Sequence, residues 1–372
     1  MKKLIFSMLV LIAFMAQAQL KIPASYSNLN IDGTGALRFE NNISKINAFV
    51  RSPEYTLSNL IGNPVGSAKG IDFNFKNQNL NGTLYFGFIP QGDSKHPMPV
   101  YFRISAPIEN GKASINIKDQ LSGIFDMVDW GKKGKGTLGY RVVDAGGKIL
   151  YDGKVAFKGS GPFQVANTII EGPFINQLTE NRCVISFTTN KPVMASIKIE
   201  YKIGYDVKTK EFMDVSSSIF HEIEINKLIP ETEFSYEISY GGEPLKFSFT
   251  TPPKTGSRKA FTFAYASDSR HASGGGERNL YGTNSYMMKK IMALATYEDA
   301  AFMQFTGDMI NGYCIDKKEI EIQYANWKRS IEAFAHYMPV YVGMGNHECV
   351  MWLFIDEVEG NKYMIDKFPY ET

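Results

Sequence analysis

Histidine and cysteine are both scarce in this sequence, five and three among 372. Three thiols as scattered as Cys183, Cys314 and Cys349 cannot form the framework of a disulfide-stapled module. Cys314 and Cys349 both fall just beyond apolar runs, so a bridge between them is open if they are neighbours. Free or partly buried thiols are the simpler reading. An excess of either charge is also lacking, since 40 Lys and Arg against 38 Asp and Glu leave a formal charge of +2. That balance argues against the basic field of a nucleic-acid binder and against an acidic solvating tail. After residue 20 no apolar run is long enough to span a bilayer.

What is present begins with a leader. Lys2 and Lys3 form a charged start, Leu4 to Phe14 an apolar core, and Ala16-Gln17-Ala18 a small-x-small cleavage site. This reads as a signal peptide over residues 1–18, with a mature chain from Gln19 that is secreted or periplasmic. A membrane anchor is the alternative. The short core and the polar residues that follow at once argue against it. No cysteine follows the leader to take a lipid.

Residues 19–165 read as a β-sandwich of unknown role. Short β-branched and aromatic runs alternate with turn signals, as in Gly82–Ile89 and Val100–Ile104. Asp144-Ala145-Gly146-Gly147-Lys148 reads as a hairpin turn. The region holds no catalytic constellation. His96 lies in a Pro-rich loop and reads as solvated. Trp130 reads as a structural aromatic before it reads as a surface for a sugar or peptide.

Residues 166–253 carry further period-two strands, among them Cys183–Thr189, Ala195–Tyr201 and His221–Ile225, enough for a second small sandwich. The run Leu228-Ile229-Pro230-Glu231-Thr232-Glu233-Phe234 resembles the corner of fibronectin type III domains. Phe234 stands where that family usually has tyrosine. His221 reads as structural, and Pro252–Ser257 as a linker.

From 254 to 372 the pattern changes to strands alternating with helices, which predicts a parallel sheet. Tyr286-Met287, Ile291-Met292 and Leu294-Ala295 recur at helical spacing behind Thr283 or Asn284 as cap. Ile320, Tyr324, Trp327, Ile331, Phe334 and Ala335 form a second stripe. Both read as core. The fold class expected is therefore multidomain, with two all-β sandwich domains followed by a partial α/β domain.

Three apolar runs in this last part end in polar residues. Phe261–Ala266 leads into Ser267-Asp268-Ser269-Arg270. Ala301–Thr306 leads into Gly307-Asp308-Met309-Ile310-Asn311-Gly312. Val340–Val342 leads into Gly343-Met344-Gly345-Asn346-His347-Glu348. Ligands of open α/β sheets bind at such carboxyl ends. Carboxylates and an amide oxygen suit hard or borderline divalent cations, and imidazole suits zinc and iron. Two cations can clamp a phosphoryl group and supply hydroxide, and a neighbouring His can pass a proton to the leaving oxygen.

The three motifs in order resemble the first three of the calcineurin-like metallophosphoesterases. With the fibronectin-like region before them, the nearest likeness is the purple acid phosphatase branch. The resemblance covers about residues 166–350. It implies a dinuclear centre of iron, zinc or manganese, with Asp268 on one metal, Asp308 bridging and Asn346 on the other. It places His347 near the phosphate, while Glu348 is read as orienting His347. Arg270 stands where many relatives have histidine, and reads equally as a phosphate clamp or as a partner of a nearby acid. Asn311 stands where the purple enzymes carry their iron-binding tyrosine. No histidine follows His347, so the family's later histidine motifs are expected in a continuation beyond Thr372. Gly274-Gly275-Gly276 reads as a site rim or an ordinary loop.

These readings predict a secreted phosphoesterase acting on a phosphorylated small molecule or other phosphoester. Two alternatives stay open: a phosphodiesterase or nucleotidase on the same site, and a non-catalytic surface protein whose β regions bind a partner.

Overall fold

The computed structural model describes residues 54–349, apart from 92–93, 102–103 and 313–316, together with two short strands nearer the start. Those strands, β1 (Leu29–Ile31) and β2 (Leu37–Phe39), pair antiparallel. The leader lies outside the described residues, as do Cys314 and the side chain of Cys349, so the bridge weighed above does too. Cys183 is a free, buried thiol, pushed up to about 12 by burial. No helix among the described residues is long and apolar enough to cross a membrane.

Arg51–Met351 belongs to one compact unit. Its first sheets are built from β3 (Val65–Gly66), β4 (Gly70–Asn74), β5 (Gly82–Phe88), β6 (Ser105–Ile108), β7 (Lys112–Asn116), β8 (Lys135–Asp144), β9 (Ile149–Lys158) and β10 (Gln164–Val165). The orders are β10-β9-β8-β5-β6 and β3-β4-β7. Alternating side chains such as Leu84, Phe86 and Phe88 from β5 meet Ile71 and Phe73 from β4 in a shared core. The expected hairpin joins β8 to β9, with the Asp144 carboxylate accepting from Lys148 N at 2.8 Å. Trp130 is buried and donates its indole N–H to Leu121 O at 2.7 Å, so it is part of the core.

The next sheets use β11 (Ile169–Asn176), β12 (Arg182–Val193), β13 (Ser196–Ile203), β14 (Asp206–Met213), β15 (Ser218–Asn226), β16 (Glu233–Ser239) and β17 (Leu245–Thr250). Their orders, β11-β12-β15 and β14-β13-β16-β17, enclose Ile185, Ile197, Phe234 and Phe249. Phe234 packs there with no exposure and stacks on Phe249. His221 is buried between Asp214 Oδ2 at 2.7 Å and Thr189 Oγ1 at 3.0 Å, a structural role.

Last come β18 (Ala264–Ala266), β19 (Met303–Phe305) and β20 (Val340–Val342), parallel in that order. They are shorter than the apolar runs implied, because Phe261 and Phe263 precede the ladder and are largely exposed. The helix Ser285–Tyr297 follows β18 and the long helix Lys317–Ala335 follows β19. Asn284 caps the first, accepting from Met287 N at 3.2 Å, while the Thr283 hydroxyl donates to Ser269 O instead. This helix buries Ser285, Met288, Met292 and Ala295. Tyr286, Met287 and Leu294, expected in the core, are exposed, because the inward face runs through 285, 288, 292 and 295. The stripe expected on the long helix is buried throughout, and its opposite side is buried as well, including Ile322, Asn326 and Glu332.

That second buried side explains much of the architecture. Asn326 donates to Leu150 O at 3.0 Å on β9, and Arg329 donates to Asp152 O at 3.1 Å and to Ile170 O on β11. Trp327 meets Phe305 of β19 edge-on at 5.5 Å. Tyr236 of β16 donates its hydroxyl to His336 O at 2.7 Å. His96 is not a solvated loop residue. Its Nδ1 bonds Ala333 O at 2.8 Å and its ring stacks on Phe334, because the loop lies against the helix rather than in water.

Candidate active site

The three strand tips come together through backbone geometry that only certain residues adopt. Asp268 and Asp308 lie in the loops just beyond the ends of β18 at Ala266 and β19 at Phe305, and sit at φ of 59° and 55°. Such left-handed backbone is uncommon outside glycine and concentrates at functional sites, with Asp among the residues that tolerate it best. Gly307 is left-handed too, at φ of 109°, and a Cβ there would lie 2.2 Å from Gly345 N. A Cβ on Gly345 would lie 2.1 Å from Asp308 Oδ1. The second and third tips therefore touch backbone to backbone.

The loops are then tied down. Ser269 is buried, accepts from Trp327 Nε1 at 2.8 Å and donates to Met309 O at 3.0 Å. Glu348 does not orient His347 as expected. Its buried carboxylate accepts from Asp308 N at 2.9 Å, Met309 N at 2.7 Å and Gly345 N at 2.8 Å. It is an anionic clamp on two tips, and charge-assisted bonds of this kind are the strong ones.

His347 is oriented by other groups. Its main-chain N–H donates to Asp308 Oδ1 at 3.1 Å, and its ring Nδ1 bonds Asn311 O at 2.5 Å. A carbonyl partner puts the proton on Nδ1. Nε2 then lies 3.8 Å from Asp308 Oδ2 and in contact with an Arg270 nitrogen. Asn311 thus serves the site through its backbone. Arg270 lies between the acids, 3.8 Å from Asp268 Oδ1 and 4.0 Å from Asp308 Oδ2. Asp308 is nearly buried, whereas the Asp268 side chain is 58% exposed. Asn346 is exposed on the third tip, at the start of the short helix Asn346–Cys349.

Asp268, Arg270, Asp308 and His347 are therefore brought together, with Asn346 on the adjoining tip. The donor types suit a hard or borderline cation. The guanidinium is already a stand-in positive charge beside both carboxylates. Donor number is smaller than two metals would take. Among the described residues no group of three or more His, Cys, Asp or Glu is arranged to hold a metal ion. The run Gly274–Gly276 has φ of 114°, 67° and 59°, a sequence of left-handed turns suited to glycine. It leads into the turn Gly276–Asn279, where Glu277 pairs with Arg141 at 2.6 Å. The run is thus anchored to the first sheets at its far end.

No family model matches the sequence. Among solved structures, the yellow lupin (Lupinus luteus) purple acid phosphatase PPD1 is similar over 75% of this chain and 53% of its own, at 16% identity and TM-score 0.37. A structure of PhoD is similar over 47% of this chain and 38% of its own, at 14% identity and TM-score 0.34. The FN5 domain of Drosophila Lar matches 22% of this chain and 98% of its own, at 16% identity and TM-score 0.18. The chain thus spans about half or less of the length of either phosphatase structure.

Proposed function

We propose that this chain carries part of the active site of a secreted, metal-dependent phosphoesterase. The observation that supports the reading most is the pairing of Asp268 and Asp308, both left-handed at successive parallel tips, about one guanidinium and one buried imidazole. Asp268, Asp308 and Asn346 would hold divalent or trivalent cations, of which iron, zinc and manganese suit the donors. Such cations, when bound, neutralise phosphoryl charge and make hydroxide available at neutral pH.

The chain's own groups have separate tasks. Asp308 and Asp268 offer negative charge on one side of the cleft. Arg270, relieved of its carboxylates, presents two parallel N–H groups to two phosphate oxygens, a geometry that lysine does not reproduce. His347 holds its Nδ1 proton against Asn311 O. When it carries a proton on Nε2, His347 would give it to the departing alkoxide as that phosphorus–oxygen bond breaks, while the attacking water forms the new phosphorus–oxygen bond and gives up its proton to solvent. The substrate class is a phosphorylated small molecule or another phosphoester.

The test is hydrolysis of 4-nitrophenyl phosphate with manganese, zinc or iron supplied, by the full-length protein and by its Asp308→Asn variant. Turnover by the parent that falls at least about a hundredfold in the variant is expected, the size of effect seen when a main electrostatic group is removed. Equal turnover in both, or none in the parent with any metal, would overturn the reading.

A further inference from the structure

A cavity of about 300 Å³ lies where the first two sets of sheets meet the long helix. It is unrelated to the strand tips. Its volume corresponds to about ten waters at liquid density and to the lower end of small-molecule pockets. The floor comes from Asp152, Gly153 and Lys154 of β9, and one wall from Glu332, Ala333 and His336. Leu245 and Phe247 of β17 form an apolar side, and the loop Pro97–Pro99 and Tyr101 also line the cavity. That loop is seated on bare glycine. A Cβ on Gly139 would fall 2.4 Å from Pro99, and one on Gly87 would fall 1.8 Å from Val100 O.

The lining is charged but balanced. Asp152, Glu277 and Glu332 face Lys154, Lys289 and Arg329. Every one of them already has a partner. Arg141 holds Asp152 with two bonds of 2.7 and 2.6 Å and also reaches Glu277, which Lys289 meets at 3.0 Å. Glu332 is shared by Lys154 and Arg329. A charged ligand would have to break one of these buried pairs, which is costly. Carboxylates held this way still offer unused lone pairs.

Two further groups at the cavity have unused bonding capacity. The Tyr101 hydroxyl is buried and has no hydrogen-bond partner among the described residues. Buried polar atoms in that condition are rare and call for an explanation. His336 is 4% exposed, and its Nδ1 bonds Pro173 O at 2.7 Å. The carbonyl makes Nδ1 the donor, so Nε2 is left as an acceptor. The ring stacks on Phe247 with centroids 4.1 Å apart, continuing the apolar side.

From this combination we infer that the cavity is a binding site for a neutral, polyhydroxylated ring of monosaccharide size. Its hydroxyls would meet Tyr101, His336 and the fixed carboxylates, and its C–H face would lie on Phe247 and Leu245. Neutrality follows from the saturated charge pairs. Several hydroxyls follow from the several separate acceptors, and the ring size from the volume.

Isothermal titration calorimetry on the full chain tests this with myo-inositol and methyl α-glucoside as neutral probes and glucuronate and glucosamine as charged ones. One-site binding of at least one neutral probe is expected, with either charged probe at least tenfold weaker. Tyr101→Phe, which removes only the unpartnered oxygen and should fold, is expected to weaken binding tenfold or more. Ala333→Leu, which fills one wall, is expected to abolish it with the melting curve still cooperative. No heat from either neutral probe, tighter binding of a charged one, or unchanged binding by Tyr101→Phe would overturn the assignment.

Discussion

Glu348 shows how a single side chain can fix the geometry of two strand tips through their backbone alone. Three backbone N–H groups from two loops converge on its buried carboxylate. Glu348→Gln keeps the shape, loses the charge and turns one acceptor oxygen into a donor facing N–H groups. A loss of about 1.5–3 kcal/mol in urea unfolding is expected, the usual worth of hydrogen bonds to a charged group. Unchanged stability would mean that the clamp contributes nothing. Asp268, Asp308 and His347 are legible in the sequence because each follows an apolar run, and polar residues at strand ends gather at one edge. The role of Glu348 is not legible there, because its partners are peptide groups, two of them about forty positions earlier, and carry no side-chain signature. Arg270 is half legible. Its chemistry allows either a phosphate or an acid partner, and only coordinates bring Asp268 and Asp308 to its two sides.

At the scale of elements, the parallel sheet is short and its tips do the organising. Gly307 is the hinge of that arrangement, being left-handed and packed on the Gly345 backbone. Gly307→Ala combines backbone strain with a clash against main chain that cannot rotate away. A cost of about 1–3 kcal/mol from the strained backbone alone is expected, read as a lower urea midpoint. An alanine variant as stable as the parent would contradict the close approach of the tips. The strand and helix order was readable from the alternation of patterns, and so was the buried stripe of the long helix. The roll of the helix Ser285–Tyr297 was not, since its apolar residues go most of the way round and neighbours decide which side is covered. The buried charges of β9 were not readable either. Asp152 and Lys154 alternate with apolar residues as on a solvated face, yet the long helix covers them.

At the scale of the whole compact unit, the long helix packs on β9, β11 and β19, and buried groups along and just beyond it link stability to pH. His336, near its end, is pushed from 6.5 down to about 4, chiefly by burial, with Lys154 and His96 acting in the same sense and Glu332 against it. Between those values the unfolded chain binds more protons here than the folded one, so stability rises with pH. This contribution is complete above pH 6.5 and is lost as pH falls through about 4. Glu277 and Glu332, both held below the usual carboxylate range against the effect of burial, add acid sensitivity of the same sign. Urea midpoints from pH 7 to 4 should therefore fall in the parent. His336→Asn, whose amide can keep the bond to Pro173, should show a slope smaller by up to about one proton, or about 1.4 kcal/mol per pH unit. Identical slopes would show that the imidazole does not stay neutral in the folded state.

The central claim is that the strand tips carrying Asp268, Asp308 and Asn346 form a cation site. Calorimetric titration of manganese(II) into the full chain and into Asp308→Asn tests it most directly. The account predicts saturable binding by the parent that weakens at least tenfold in the variant. Superimposable isotherms, or no binding by the parent, would contradict it.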